Sequence, residues 1–204
     1  MEERYEDSKR AGILGILGNI VLLIIKGAIG LITNSQAMIA DAANSLGDIF
    51  ASAMTSIGSK IASAPQDDDH NFGHGKAEYI FSLLISISML IIAFKLLYDS
   101  VETLVTGANF TFSWILILVC AITILIKLLL FLYTFRLYKK NNNLLLKANM
   151  KDHRNDCIIT TFTLISVLLS LCNIYWFDSV VGTGISIWIC ITGIKIFIES
   201  YNVL

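Results

Sequence analysis

Two short strings in this 204-residue chain pair oxygen-bearing side chains at a spacing of four. One is Asp41-Ala-Ala-Asn44-Ser-Leu-Gly-Asp48 and the other is Asp152-His-Arg-Asn-Asp156. Residues at i and i+4 share a helix face, so Asn44 with Asp48, and Asp152 with Asp156, each offer two oxygen donors from adjacent turns. Two helices that bring these pairs together would close four oxygen ligands around one cation. Clustered carboxylates repel one another in a low-dielectric cavity. A divalent ion that binds them displaces protons, which couples metal movement to proton movement. Asp41 lies on roughly the same face as Asn44 and Asp48 and is expected to serve as an outer partner of the ion or an exit group.

Each residue has a plainer reading. A lone aspartate near a helix end is usually a cap or a solvated group. Lys26, Lys95 and Lys127 also fall within apolar stretches. They are expected either to snorkel or pack against polar neighbours, or to form salt bridges with Asp41 or the paired carboxylates. What favours a cation site is cost: an ionisable side chain deep in a bilayer costs about 2.5–3.5 kcal/mol on insertion scales. His153 points about 100° away from Asp152 around a helix and is read as a packing or hydrogen-bonding residue. A second cluster, Asp67-Asp68-Asp69-His70-Asn71-Phe72-Gly73-His74, holds carboxylates and two imidazoles within eight residues. Asp67, His70 and His74 there are candidate ligands for a transition metal, although Asp-, Asn- and Gly-rich stretches are also ordinary turn material.

The elements that must position these residues follow from composition. Hydrophobic residues make up 55% and charged residues only 15%, where a soluble domain carries about 25% charged. Mean hydropathy is +0.71 and there is a single proline. This excludes a disordered chain, a collagen-like chain and a secreted disulfide scaffold, and it predicts an all-α polytopic membrane protein. Six spans can be counted: about Ala11 to Thr33, Gln36 to Ala62, Ala77 to Val105, Phe110 to Tyr138, Asn143 to Cys172 and Ser179 to Phe197. Each reaches the roughly 20 residues a bilayer core needs. Each must be helical, because lipid satisfies no backbone polar group, and the alternation of a membrane β-barrel is missing. The second span would be overlooked on hydropathy alone. It is small and polar, cannot face lipid, and is expected at the centre of the bundle, where small side chains allow close helix approach.

Orientation follows from basic residues. Arg4, Lys9 and Arg10 precede span one, Lys76 follows span two, and Arg136, Lys139, Lys140, Lys147, Lys151 and Arg154 surround the connection after span four. The connections near Asn34, Gly107 and Asp178 have no Lys or Arg. Both termini, with residues 1–10 as a cytoplasmic segment, and the loop at 64–77 are therefore expected in the cytoplasm. No small-residue cleavage site follows the first apolar run, so a removed signal peptide is not expected. Cys120, Cys157, Cys172 and Cys190 lie in apolar runs with no CxxC spacing and are read as buried free thiols. A net charge of −1 gives no reason to expect nucleic acid.

Taken together, the Asp41–Asp48 string, the stretch Pro65-Gln-Asp67-Asp-Asp-His70-Asn-Phe-Gly-His74-Gly-Lys76-Ala-Glu78 and the Asp152–Asp156 string resemble the cation diffusion facilitators. The resemblance covers essentially the whole chain, span count included. It implies a homodimeric exporter of divalent metal, driven by inward proton movement with alternating access between helix bundles, in a bacterial inner or plasma membrane. By position, Asn44, Asp48, Asp152 and Asp156 fall on the family's membrane transport site, and Asp67, His70 and His74 on its loop metal site. Zinc-transporting members usually place histidine at one or more membrane-site positions; here Asn44 and Asp152 carry oxygen. Oxygen ligands suit Mn²⁺ and imidazole suits Zn²⁺, so the set resembles the manganese-type branch. Mn²⁺ is the expected cargo, with Zn²⁺, Fe²⁺ and Cd²⁺ as alternatives and no prosthetic group. Family members usually continue into a cytoplasmic metal-binding domain. This chain ends at Leu204, directly after span six, so that domain is expected to be absent, and the dimer is expected either to be held by the spans, with spans two and three as the candidates, or to be weak.

Two other classes compete. A membrane-embedded metal hydrolase would also use buried carboxylates and histidines, but there is no HExxH motif, and Cys157 sits on a different helix face from Asp156. A receptor or assembly subunit would tolerate loss of Asp48 without loss of metal flux.

Overall fold

The computed structural model describes residues 2–62, 77–107, 111–141 and 144–202, and all regular structure among them is helical. Six helices follow in order: α1 (Glu2–Thr33), α2 (Gln36–Ala62), α3 (Ala77–Thr106), α4 (Trp114–Asn141), α5 (Leu144–Ser170) and α6 (Trp176–Tyr201). The bounds agree with the six expected spans to within a few residues, except that α1 begins nine residues before Ala11. Four helices, α1, α3, α4 and α6, contain stretches long and apolar enough to cross a membrane. The other two, α2 and α5, are 27 residues each, about 40 Å at 1.5 Å per residue. They have the length of a span without its hydropathy, because they carry the polar residues.

The bundle is inverted relative to a soluble protein. Its outer surface is apolar: Ile24, Ile32, Ile91, Phe94, Leu118, Leu129 and Phe162 are exposed. Its interior holds Asn19, Lys26, Asp41, Lys127 and Asp156. An apolar exterior on this scale needs lipid around it, and charges inside are tolerated only when paired. The chain is an integral membrane protein.

Helix α2 touches α1, α3, α5 and α6, which makes it the central element expected from its composition. Ala37, Met38, Ala40, Asp41, Ala42 and Ser45 are buried along it. The most extensive pairings are α3 on α6 and α4 on α5. Small residues explain the first. Ser86, Ala93 and Ser100 recur every seven residues on α3 and are buried, as are Gly182, Ser186 and Gly193 of α6, with Gly182 against Ser100 and Gly193 against Ser86. At Gly182 a Cβ would sit 2.9 Å from both the Gln36 carbonyl carbon and Ser100 Oγ, so any side chain there would drive α2, α3 and α6 apart.

Three short connections, 34–35, 107–113 and 171–175, gather at one end of the bundle, here called the turn end. At the first of these, α1 stops where Asn34 adopts a left-handed φ of 53° and the Ser35 amide bonds back to the Gly30 carbonyl at 3.1 Å, a Schellman-type ending. Ser35 then caps α2, its hydroxyl oxygen accepting from the Met38 amide at 3.1 Å.

Two expectations fail against the packing. Asp178 is not in a connection: it lies in the first turn of α6 and is 1% exposed. Its carboxylate accepts from Ser35 Oγ (2.7 Å), the Ala37 amide (3.2 Å) and Ser166 Oγ (3.1 Å), so it fastens α6 to the start of α2 and to α5. The negative charge also suits the positive end of the α2 dipole. Nor are all the cysteines buried. Cys120 is, Cys157 and Cys190 are half-buried, and Cys172 is exposed, because α5 ends at Ser170 and Cys172 falls in the turn beyond it.

Candidate metal centre

Three polar layers stack inward from the turn end. The outermost is the Asp178 cluster. The middle one is built on Lys26 of α1, whose ammonium donates to Asp41 Oδ1 and to Ser45 Oγ, both at 2.8 Å. Thr160 of α5 donates to the other Asp41 oxygen at 2.8 Å. All four residues have zero exposed surface. Every carboxylate oxygen of Asp41 has a donor, and the ammonium has both charge and hydrogen-bond partners. The position expected to be an outer partner or exit group is thus held by a lysine, one of the salt bridges the sequence left open.

The innermost layer contains the paired positions. On α2, Asn44 is half-buried and its side-chain amide donates to Asp156 Oδ1 of α5 at 3.0 Å. On α4, Lys127 is fully buried and donates to Asp156 Oδ2 and to Asn19 Oδ1 of α1. Asp156 is 1% exposed and accepts on both oxygens. Asp48 is half-buried one turn beyond Asn44, in the electrostatic field of Asp156, Asp152 and Lys127. Its Oδ2 is buried and has no hydrogen-bond partner. Asp152, one turn beyond Asp156, is exposed. The geometry therefore joins Asn44 to Asp156, sets Asp48 close by with an oxygen free, and leaves Asp152 at the open edge. Among the described residues no three carboxylate, histidine or cysteine side chains stand close enough together to hold one ion.

Depth is shared across four helices. Asn19 is 14 residues from the end of α1, Asp48 12 from the start of α2, Lys127 13 from the start of α4 and Asp156 14 from the end of α5. Helical rise places all of them about 18–21 Å from the turn end, roughly two thirds of the way through a hydrocarbon core of about 30 Å.

His153 is 4% exposed and packs toward α1, where a Cβ on Gly15 would lie 3.4 Å from its Cε1. Neither ring nitrogen has a hydrogen-bond partner, so packing, not hydrogen bonding, is what the structure gives it. Lys95 is exposed and pairs with Asp99 one turn along α3, at 3.0 Å. Asp67, His70 and His74 lie outside the described residues. Sequence reasoning missed Asn19, Ser45 and Thr160. A signal for Asn19 existed: it is seven residues before Lys26 in an apolar stretch that begins at Ala11, and so on the same face.

The family model described as the cation efflux transmembrane domain matches residues 12–204. An uncharacterized transporter of Methanocaldococcus jannaschii is 32% identical over 192 residues, 94% of this chain and 68% of that protein. The manganese efflux system protein MneS of Bacillus subtilis is 32% identical over 205 residues, 99% of this chain and 71% of that protein. The magnetosome protein MamM of Magnetospirillum gryphiswaldense is 29% identical over 197 residues, 96% of this chain and 62% of that protein.

Proposed function

We propose, on the premise that the chain belongs to the cation efflux family, that it carries a divalent metal ion out of the cytoplasm, and that the ion is Mn²⁺. The ion's ligands in this reading are Asn44 and Asp48 of α2 with Asp152 and Asp156 of α5. The observation that carries it is the hydrogen bond from Asn44 to Asp156 across the α2–α5 contact, with an unpartnered Asp48 oxygen beside it. A buried carboxylate oxygen without a donor is costly in lipid, and an incoming cation removes that cost. The donors are all oxygen, which suits Mn²⁺ better than an imidazole-containing set. A relative over 99% of this chain is a manganese efflux system protein.

Metal leaves against inward-moving protons, because ligands that release an ion can take up protons in its place. Access alternates as the α2–α5 contact opens and closes around the site. The working unit is a homodimer in a bacterial plasma membrane, with both termini and the loop at 64–77 on the cytoplasmic side, and Asp67, His70 and His74 gather metal at the entrance. The family is one of transporters, and no hydrolytic role is assigned.

Flux into proteoliposomes across a pH gradient tests this. Mn²⁺ uptake by the parent should exceed Zn²⁺, Fe²⁺ and Cd²⁺ uptake, and should fall to background in Asp48→Ala. Asn44→His should raise Zn²⁺ relative to Mn²⁺. Unchanged flux in Asp48→Ala would reject the site, and a preference for another ion in the parent would reject Mn²⁺ while leaving the site standing.

A further inference from the structure

We propose that Lys127 is a resident counter-ion of this site, which holds Asp156 while no cargo is bound and yields it to the incoming metal. The proposal rests on the reading that Asp48 and Asp156 bind the cargo. Lys127 sits near the middle of α4 with no exposed surface, so its ammonium has no route to a headgroup region and depends on its interior partners. Those partners are Asp156 Oδ2 and Asn19 Oδ1. The other Asp156 oxygen accepts from the Asn44 amide. A metal ion that ligates Asp156 therefore meets a donor already on each of its oxygens. A dication and an ammonium on one carboxylate repel strongly at low dielectric, so Lys127 is the donor that must leave.

Asn19 gives it somewhere to go. Its carbonyl oxygen already accepts from Lys127, and an ammonium that loses Asp156 keeps that partner. On the α2 side, rotation of the Asn44 amide exchanges its donor for its acceptor, which turns the group that holds Asp156 into an oxygen ligand. Charge agrees with this exchange. Asp48, Asp152 and Asp156 as carboxylates with Lys127 as ammonium sum to −2, the amount one divalent ion neutralises. Without Lys127 the sum is −3, and a divalent ion would be held more tightly and released more slowly. Lys127 thus acts through Asp156, as a positioning residue that sets both affinity and release. The Lys26–Asp41 pair has no such use. Both its carboxylate oxygens are taken, and among the described residues no free carboxylate oxygen adjoins it.

The test measures equilibrium Mn²⁺ binding to the purified full chain at one fixed pH, together with KM and maximal rate for Mn²⁺ in proteoliposomes. Lys127→Met should bind Mn²⁺ at least about tenfold more tightly, with a lower KM and a lower maximal rate. Lys127→Arg should keep the parent's affinity to within a few-fold. Asn19→Ala, which leaves Lys127 with Asp156 alone, should bind Mn²⁺ more weakly and decides the matter if Lys127→Met does not fold. A purely structural lysine predicts no gain in affinity. Unchanged or weaker binding in Lys127→Met, or unchanged binding in Asn19→Ala, would overturn the counter-ion while Asp48→Asn still abolishes binding. A parent that binds none of Mn²⁺, Zn²⁺, Fe²⁺ or Cd²⁺ would instead overturn the site itself.

Discussion

Two buried lysine–aspartate pairs stand close together in this bundle, about two turns apart along α1 and α2 and one turn apart along α5, and they are built to different degrees of completion. In the Lys26–Asp41 cluster every partner is supplied from within: Ser45 shares the ammonium and Thr160 takes the second carboxylate oxygen. In the Lys127–Asp156 cluster the pair is equally buried, yet Asp48 beside it keeps an oxygen without a donor and Asp152 opens to the exterior. The same chemistry thus serves two ends. A closed network fixes three helices to one another. An open one, with carboxylates in excess over cations, has room for a further positive charge. What separates a lock from a site here is not the residue types but the polar atoms left over.

The largest effect should come from breaking the closed network. Asp41→Ala strands a buried ammonium, which costs about 3–5 kcal/mol; thermal melting in detergent should show that loss, while Mn²⁺ affinity of the folded fraction stays near the parent's. Asp48→Asn should do the reverse, leaving melting almost unmoved and removing Mn²⁺ binding by more than the roughly 10–100-fold that loss of an outer group costs. If Asp41→Ala abolished binding in folded protein, the two clusters would be one functional unit and the contrast would fail. Thr160→Val leaves one Asp41 oxygen unsatisfied and should cost about 1–3 kcal/mol. Replacing the pair together, as Lys26→Met with Asp41→Leu, should come within about 1–2 kcal/mol of the parent, since two apolar partners leave no charge behind. The smallest change belongs to Lys95→Ala. That exposed pair with Asp99 spans one helical turn and should contribute about 0.3–0.5 kcal/mol, which separates burial from mere pairing.

Much of this was legible in the sequence, for identifiable reasons. Span lengths follow from bilayer thickness, and the interior place of α2 follows from its small, polar composition, which forbids lipid contact. The two spacings of four put Asn44 with Asp48 and Asp152 with Asp156 on common faces through helical periodicity alone. Other features depend on contacts between distant segments. Lys127 and Asp156 are 29 residues apart, and only the packing of α4 on α5 decides that this lysine meets this carboxylate. Asn19 is an isolated polar residue in the apolar stretch of α1 before Lys26, and its use becomes visible only once Lys127 stands opposite. Asp178 reads as a loop acid at the start of an apolar run, because nothing local reveals that Ser35, 143 residues away, turns its hydroxyl toward it. The Asp67, His70 and His74 cluster lies outside the described residues and rests on the sequence alone.

Equilibrium Mn²⁺ binding to the purified parent and to Asp48→Asn is the most direct test of the oxygen site on α2 and α5. The parent should bind a single ion in the membrane domain and Asp48→Asn should bind none there, at unchanged melting temperature. Equal binding by both proteins would contradict the account, because the carboxylate left open in the structure would then have no part in holding the cargo.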